Sequence, residues 1–476
     1  MPNNSKYKTL AKDTGLFALS SFGSKILVFF LTPLYTHILL PEEYGIADLI
    51  TTTVNFIYPI LTLAIADAAL RFALDTAKDK REVFDISLLF TAGSGIIIAA
   101  LYPVISLISP TLKDNYLFFV AIYFFFNIHN TFSNYLKGIE KTKEFAIQGL
   151  IHTATIILSN VMLLLVFKVG LQGYLLSIII GYIFPIIYMI FVGKLYKYVF
   201  PFQIKKETLI EMLKYSLPVV PTILAWAVNT SIDKYMIIYF IGLDSSGIYS
   251  VAHKVPTLLT TVLSVFIQAW QISAINNYGS SDESEYYSSV YKILDVLCIL
   301  GCIAIIPLSK VFSKILFEEA YYSAWQYVPM LTLSAMFSSL SGFLAAAFRA
   351  SKRTGSLFIS VVIGAIINII LNFVLIKTIG TIGAAYATAV CFFIVWFVRV
   401  ITIQKIVAVK IKIVQTILNY TLLFVAAFLF TIEFSYSYYL FAGVSAVIVA
   451  LNFSTIVDLL KKTKQLIKNK LNKGNL

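Results

Sequence analysis

The chain has 476 residues, of which 59% are hydrophobic and 13% charged, and its formal net charge is +13. A soluble domain carries about 25% charged residues, so this composition indicates an integral membrane protein and excludes an ordinary soluble enzyme or binding module. Positive charge can also indicate nucleic-acid binding, but here its distribution along the chain favours a membrane topology signal and predicts no nucleic-acid partner.

Fourteen apolar segments approach or exceed the length needed to cross a bilayer, about 20 residues. They are predicted at 15–37, 46–70, 86–109, 116–136, 145–167, 174–193, 213–241, 247–273, 291–309, 327–348, 356–376, 383–403, 414–432 and 439–460. We therefore predict an all-α polytopic membrane protein with about fourteen transmembrane helices. The first span follows a basic segment without a small-x-small cleavage site, so we expect it to remain as the first helix.

Most basic residues fall in alternate loops. With a cytoplasmic N-terminus, the outer loops hold only Lys113, Lys168, Lys310, Lys314 and Lys377, and Lys25, Lys234 and Lys254 fall within spans. This asymmetry is a positive-inside signal and predicts that both termini lie in the cytoplasm. The basic tail, residues 461–476, is predicted to anchor the topology and contact anionic lipids.

An internal repeat divides the chain. "LLPEEYGIADL" from Leu39 matches "IGLDSSGIYSV" from Ile241, which places Gly45 over Gly247, and "LKGIEKTKEF" at 136–145 matches "FRASKRTGSL" at 348–357. Each copy contains six spans, an even number, so a pseudo-two-fold axis along the membrane normal is expected to relate two lobes. We predict lobes at 1–200 and 201–412, two additional helices at 413–460, and a ligand cleft between the lobes near the bilayer midplane.

Polar residues recur at helical spacing on three spans. These are Asn127, Asn130 and Asn134 on span four, Trp226, Asn229 and Asp233 on span seven, and Lys254, Thr257, Thr261, Ser264 and Gln268 on span eight. Such faces suit a cavity for a hydroxyl-rich ligand such as a sugar. For any single residue, an interhelical hydrogen bond is the better explanation, whereas the complete stripe on span eight favours a cavity.

Charged groups within spans are expensive and usually functional. Lys25 is a candidate anion ligand, as is Arg71, although an ordinary loop charge explains Arg71 somewhat better. Lys234 is predicted either to extend toward the membrane surface or to face the cavity.

The acidic groups have other predicted roles. Asp233 is expected to pair with Lys254 across the hairpin, and Asp67, Asp233 and His253 are candidates for salt bridges or for binding a coupling ion. A single membrane histidine is as often a packing residue.

Prolines predict where spans bend, since each removes an internal hydrogen bond. They are Pro33, Pro59, Pro218, Pro221 and Pro256. The bends would serve rocking between two states, or they are static kinks. The three cysteines lie within spans and are predicted to be apolar core residues, and no metal or other cofactor is predicted.

Three segments carry a family resemblance: "FFLTPLYTHILLPEEYGIADL", "SLPVVPTILAWAVNTSIDKYMIIYFIGLDSSGIYSVAHKV" and "TIGTIGAAYATAV". The chain resembles Wzx-type polysaccharide flippases of the multidrug/oligosaccharidyl-lipid/polysaccharide (MOP) exporter superfamily. The resemblance implies a MATE/MurJ-like fold and an undecaprenyl-diphosphate-linked oligosaccharide as substrate, flipped for assembly of O antigen, capsule or another surface polysaccharide. It also implies a bacterial inner-membrane location, alternating access, coupling to H⁺ or Na⁺, contact with membrane lipids and a link to polysaccharide polymerase machinery.

In that reading, Lys25 and Lys254 would meet the diphosphate and the polar stripes would meet sugars. One alternative is a multidrug or cation exporter of the same superfamily, which would prefer an excess of acids in its cavity. The other is a polytopic polyprenyl-sugar glycosyltransferase or polymerase. Such enzymes usually need a sizeable external loop, whereas the outer loops here are short, so we predict a non-enzyme.

Overall fold

The computed structural model describes residues 29–75, 78–198, 204–351, 353–432 and 436–457, together with Leu27 and Lys461. These residues form helices and no strand. Contacts between Cα atoms divide the chain into two compact units, Met1–Ser250 and Val251–Leu476. The predicted boundaries at 200, 412 and 460 follow from the repeat and remain predictions.

The first unit contains eleven described helices and most of a twelfth. They are α1 (Thr32–Ile38), α2 (Pro41–Leu61), α3 (Ile65–Ala73), α4 (Lys80–Ala100), α5 (Tyr102–Ile108), α6 (Pro110–Asp114), α7 (Tyr116–Gly138), α8 (Thr142–Asn160), α9 (Leu171–Phe191), α10 (Lys206–Ser216), α11 (Val219–Phe240) and α12 (Leu243–Ala252). A π-helical turn, Val161–Val166, extends α8, and a 3₁₀ turn covers Leu195–Tyr198.

The second unit continues with eight described helices. They are α13 (Lys254–Asn277), α14 (Glu283–Ile305), α15 (Ser309–Leu316), α16 (Val328–Ala350), α17 (Thr354–Ile379), α18 (Thr381–Ile403), α19 (Ile413–Thr431) and α20 (Ser437–Leu451), with a 3₁₀ segment at Glu319–Gln326.

Eleven predicted spans have counterparts in the structure. Among the described residues, ten helical segments are long and apolar enough to cross a membrane, and the bent pair α2–α3 raises the number to 11. Of the other three spans, 15–37 lies mostly outside the described residues, α7 is helical but more polar, and α20 has only 15 residues. The predicted all-α membrane fold is confirmed, whereas the number fourteen remains a prediction.

The second predicted span is bent at Leu63 and Ala64, a few residues beyond Pro59, where the sequence predicts the bend. Pro59 lies inside α2, and α3 leaves α2 at an angle of 63°. Leu63 and Ala64 both have a φ of 52°, a left-handed conformation that interrupts the helix. The bend directs α3 onto α7, where Ala68 and Ala69 are fully buried in the hydrophobic core.

Small side chains let the helices of the second unit approach closely. Helix α16 is buried along almost its whole length and contacts α13, α14, α18 and α19. It carries serine or alanine at many positions, including the run Ala345–Ala347. Without a hydrophobic driving force between helices in lipid, such residues favour association by close packing.

The apolar face of α2 orients its polar face. Ala47, Ile50 and Val54 are buried in a core that is shared with α4, α7 and α9. Residues at other angles around α2, among them Asp48 and Thr53, are thereby available to α11, which contacts α2 directly.

Candidate functional site

One face of α11 is both polar and buried. Asn229 and Asp233 lie one turn apart and are almost fully buried, and Ile237 continues the same face. The carboxylate of Asp233 accepts a hydrogen bond of 2.7 Å from the hydroxyl of Tyr249 on α12. The stripe predicted on span seven is therefore enclosed by protein at its C-terminal end, while Trp226 is 38% exposed.

An ion pair joins α11 to α2. The Lys234 ammonium lies 3.0 Å from one carboxylate oxygen of Asp48 and 2.9 Å from the other. The hydroxyl of Ser250 on α12 donates a hydrogen bond of 2.8 Å to the same carboxylate. The Asp48 and Lys234 side chains are 18% and 16% exposed. We call Asp48, Lys234 and Ser250 the Asp48 cluster; its pairing lowers the cost of holding charge within membrane-spanning helices.

A second polar contact lies one turn along α2. The hydroxyl of Tyr235 donates a hydrogen bond of 3.0 Å to the Thr53 hydroxyl. The Tyr235 ring also meets Phe56 edge to face, with 6.1 Å between the ring centroids. Adjacent residues of α11, Lys234 and Tyr235, thus both bind α2.

Two glycines allow α2 and α12 to approach at backbone distance. A Cβ atom on Gly247 would overlap the carbonyl oxygen of Pro41, and a Cβ atom on Gly45 would overlap that of Leu243. The contact is reciprocal, because these two glycines are the pair that the internal repeat aligns. Asp48 and Ser250, which are hydrogen-bonded, are separated by the same 202 residues.

Sequence reasoning missed Asp48. Asp48 lies inside the predicted second span, and the repeat aligns it with Ser250. A carboxylate within a span is itself a sign of a functional or paired group, so the sequence did contain a signal for this residue. The sequence predicts that Lys234 extends to the membrane surface or faces the cavity, which stays a prediction, and the structure adds a carboxylate partner 186 residues away. The pairing of Asp233 with Lys254 remains a prediction.

The predicted residues of α7 bind within the first unit. The Asn127 amide donates a hydrogen bond of 2.8 Å to the Ser94 hydroxyl on α4 and is almost fully buried. The Asn134 amide donates to Asn130 on the same helix at 3.2 Å. For Asn127, these contacts match the interhelical alternative raised from the sequence.

We expect Asn127 and Ser94 to be energetically coupled. A double-mutant cycle with Asn127→Ala and Ser94→Ala should give a coupling of about 0.6 kcal/mol, the average for hydrogen bonds between membrane helices. The free energy of unfolding in mixed micelles is the measurement. Zero coupling, together with loss of transport in Asn127→Ala alone, would contradict the structural role and favour ligand binding.

The stripe predicted on span eight follows α13 in the second unit. Thr257 is exposed and Thr261 buried, while Lys254, Ser264 and Gln268 are half-buried. The hydroxyls of Thr257 and Ser264 donate to carbonyl groups of the preceding helical turn. Their oxygens keep lone pairs that can accept a further hydrogen bond.

The other charged candidates differ in their exposure. Asp67 is half-buried near the start of α3, and Arg71, one turn later, is exposed. His253 is half-buried immediately before α13. Lys25 lies outside the described residues.

Comparisons with known proteins agree with this architecture. A lipid II flippase, MurJ, in an inward closed conformation is 17% identical, with a TM-score of 0.69 over 93% of this chain and 99% of that chain. An inward-facing multidrug resistance MATE family transporter of the MOP superfamily is 14% identical, with a TM-score of 0.64 over 82% and 98%. A MOP superfamily transporter from Pyrococcus furiosus is 13% identical, with a TM-score of 0.57 over 83% and 96%.

At these identities the similarity shows a shared fold. No curated protein matches the chain by sequence. The family model for polysaccharide biosynthesis proteins matches residues 10–271, which is more than half of the chain. The chain therefore belongs to the polysaccharide biosynthesis protein family.

Proposed function

We propose that this multi-pass membrane protein flips an undecaprenyl-diphosphate-linked oligosaccharide from the inner to the outer leaflet of a bacterial cytoplasmic membrane. The family match supports a role in polysaccharide assembly. The similarity to a lipid II flippase, over nearly the full length of both chains, supports a lipid-linked cargo. The repeat unit that is carried determines whether the product is O antigen, capsule or another polysaccharide.

The observation that carries the mechanism is the Asp48 cluster. It joins α2 to α11 and α12 through an ion pair and hydrogen bonds, and both charged side chains keep some accessible surface. Water can replace such contacts when the helices separate, so the joined and separated states can be similar in free energy. We infer that this contact closes one side of the transport path and opens during alternating access.

The remaining polar groups are proposed to bind cargo or a coupling ion. Lys25, Lys254 and Arg71 would meet the diphosphate. Sugars would meet Asn127, Asn130, Asn134, Trp226, Asn229, Thr257, Thr261, Ser264 and Gln268. The coupling ion, H⁺ or Na⁺, would involve Asp67, Asp233 or His253. Lys234 forms an ion pair with Asp48 in this conformation. It would become available to the cargo only when α2 separates from α11.

The test is restoration of surface polysaccharide in cells that lack their own flippase. We expect the wild type to restore it and Lys25→Ala or Lys254→Ala to lower the transport rate at least about tenfold, since a charged hydrogen bond contributes roughly 1.5–3 kcal/mol. Lys314→Ala, at an exposed lysine of α15, is the matched control. Full activity of both test variants at equal membrane abundance would move the anion site elsewhere.

A multidrug or cation exporter is the second candidate, favoured by the similarity to a MATE family transporter. The two candidates differ in the charge of the cargo. Failure to complement with every repeat unit tested, together with efflux of a cationic dye that depends on Asp233, would replace the flippase with the exporter.

A further inference from the structure

The second unit contains a polar cavity that the proposed transport path does not use. It has a volume of about 360 Å³ and lies between the start of α14, the start of α19 and the end of α20. We call it the basic pocket. Its charged and amide lining includes Lys292, Lys410, Lys412, Glu285, Asp295 and Asn419.

The three lysines of the basic pocket have no carboxylate partner among the described residues. Asp295 accepts a hydrogen bond of 2.6 Å from the Tyr420 hydroxyl, and Glu285 is exposed at the rim. The lining therefore contains three lysines and two carboxylates, and one of the carboxylates is already hydrogen-bonded. The excess positive charge favours an anion.

Asn419 supplies an independent sign of a ligand. Its side chain is 1% exposed, and its Oδ1 atom accepts no hydrogen bond within the described part of the chain. Its amide nitrogen donates to Asn452 at 3.4 Å, and Asn452 is in turn held by the carbonyl of Ile448 at 2.8 Å. A buried acceptor without a donor is costly, so a ligand that carries a hydroxyl or amine would stabilise this site.

Exposed apolar side chains lie close to the basic pocket in the sequence of α19. On α19, next to Asn419, Val414 is 83% exposed and Leu418 is 44% exposed. Such apolar side chains provide a surface for acyl chains. Basic pockets at the ends of transmembrane helices are suited to anionic lipid headgroups.

We propose that the basic pocket binds one anionic glycerophospholipid of the surrounding membrane. Lys292, Lys410 and Lys412 bind its phosphate, and a headgroup hydroxyl donates a hydrogen bond to Oδ1 of Asn419. Phosphatidylglycerol has this chemistry, with one negative charge and free hydroxyls. The lipid binds to the second unit whatever molecule the protein transports.

The test is native mass spectrometry of the delipidated full-length protein titrated with short-chain phosphatidylglycerol. We expect one lipid to bind to the wild type. Lys410→Gln and Lys412→Gln should each weaken its affinity about fivefold, following roughly 1 kcal/mol per basic residue near a lipid surface. Lys405→Gln is the matched control, because Lys405 lies in the same loop but outside the pocket lining.

The melting temperature of the wild type is a second measurement, which does not depend on whether the variants fold. Phosphatidylglycerol should raise the melting temperature of the wild type, and phosphatidylcholine at equal concentration should raise it much less. Equal affinity in the wild type and the Lys410→Gln/Lys412→Gln double variant would overturn the proposal. An equal rise with phosphatidylcholine would also overturn it, and inorganic phosphate acting as well as the lipid would indicate a site for soluble anions instead.

Discussion

Neutralising Asp48 should destabilise the protein by about 2 kcal/mol, less than the loss for a fully buried pair because both side chains keep some accessible surface. The change is Asp48→Asn, which leaves the Lys234 ammonium without a carboxylate between α2 and α11. The free energy of unfolding in mixed micelles is the measurement.

Asp48→Asn should also favour the state in which α2 is separated from α11 and α12. A shift of about 2 kcal/mol raises the population of the separated state roughly 30-fold. A cysteine introduced at Thr53, which is buried beside Tyr235, should then react faster with a membrane-impermeant maleimide. The background is low because Cys298, Cys302 and Cys391 are all buried.

Two control experiments distinguish the loss of the Asp48–Lys234 ion pair from the loss of any single charge. Lys78→Met breaks an ion pair with Glu211 that lies at the surface, and it should change stability by no more than about 0.5 kcal/mol. The exchange of Asp48→Lys with Lys234→Asp should recover part of the lost stability. Wild-type stability and labelling in Asp48→Asn would show that the cluster does not hold the contact closed.

Gly247→Ala should also separate α2 from α12. The new methyl group would overlap the carbonyl oxygen of Pro41 and lie 3.0 Å from the backbone nitrogen of Gly45. Overpacking of this kind costs about 1–3 kcal/mol, and here the atoms that must move are backbone atoms. We expect a lower melting temperature and faster labelling of the cysteine at position 53.

Gly93→Ala is the matched control, because a Cβ atom at Gly93 in α4 would have no atom within 4 Å. It should leave stability unchanged or raise it by about 0.5–1 kcal/mol through helix propensity. Equal effects at Gly93 and Gly247 would show that the close approach of α2 and α12 is unimportant.

Composition and the spacing of apolar segments were enough to predict the class of protein and the positions of most of its helices. Apolar segments of about 20 residues must form helices in a bilayer, since every backbone polar group needs an internal partner. For that reason eleven predicted spans recur in the structure. The internal repeat also aligns Gly45 with Gly247, the two glycines at which α2 and α12 approach each other.

Which polar groups meet depends on how the helices pack, and the sequence pattern does not contain that information. Lys234 could be placed inside a span from the sequence, but Asp48, 186 residues earlier, becomes its partner only because the apolar face of α2 turns Asp48 toward α11. The same holds for Asn419 and the three lysines of the basic pocket, which come from separate segments. Helical periodicity describes one element at a time, whereas a binding site depends on the packing of several.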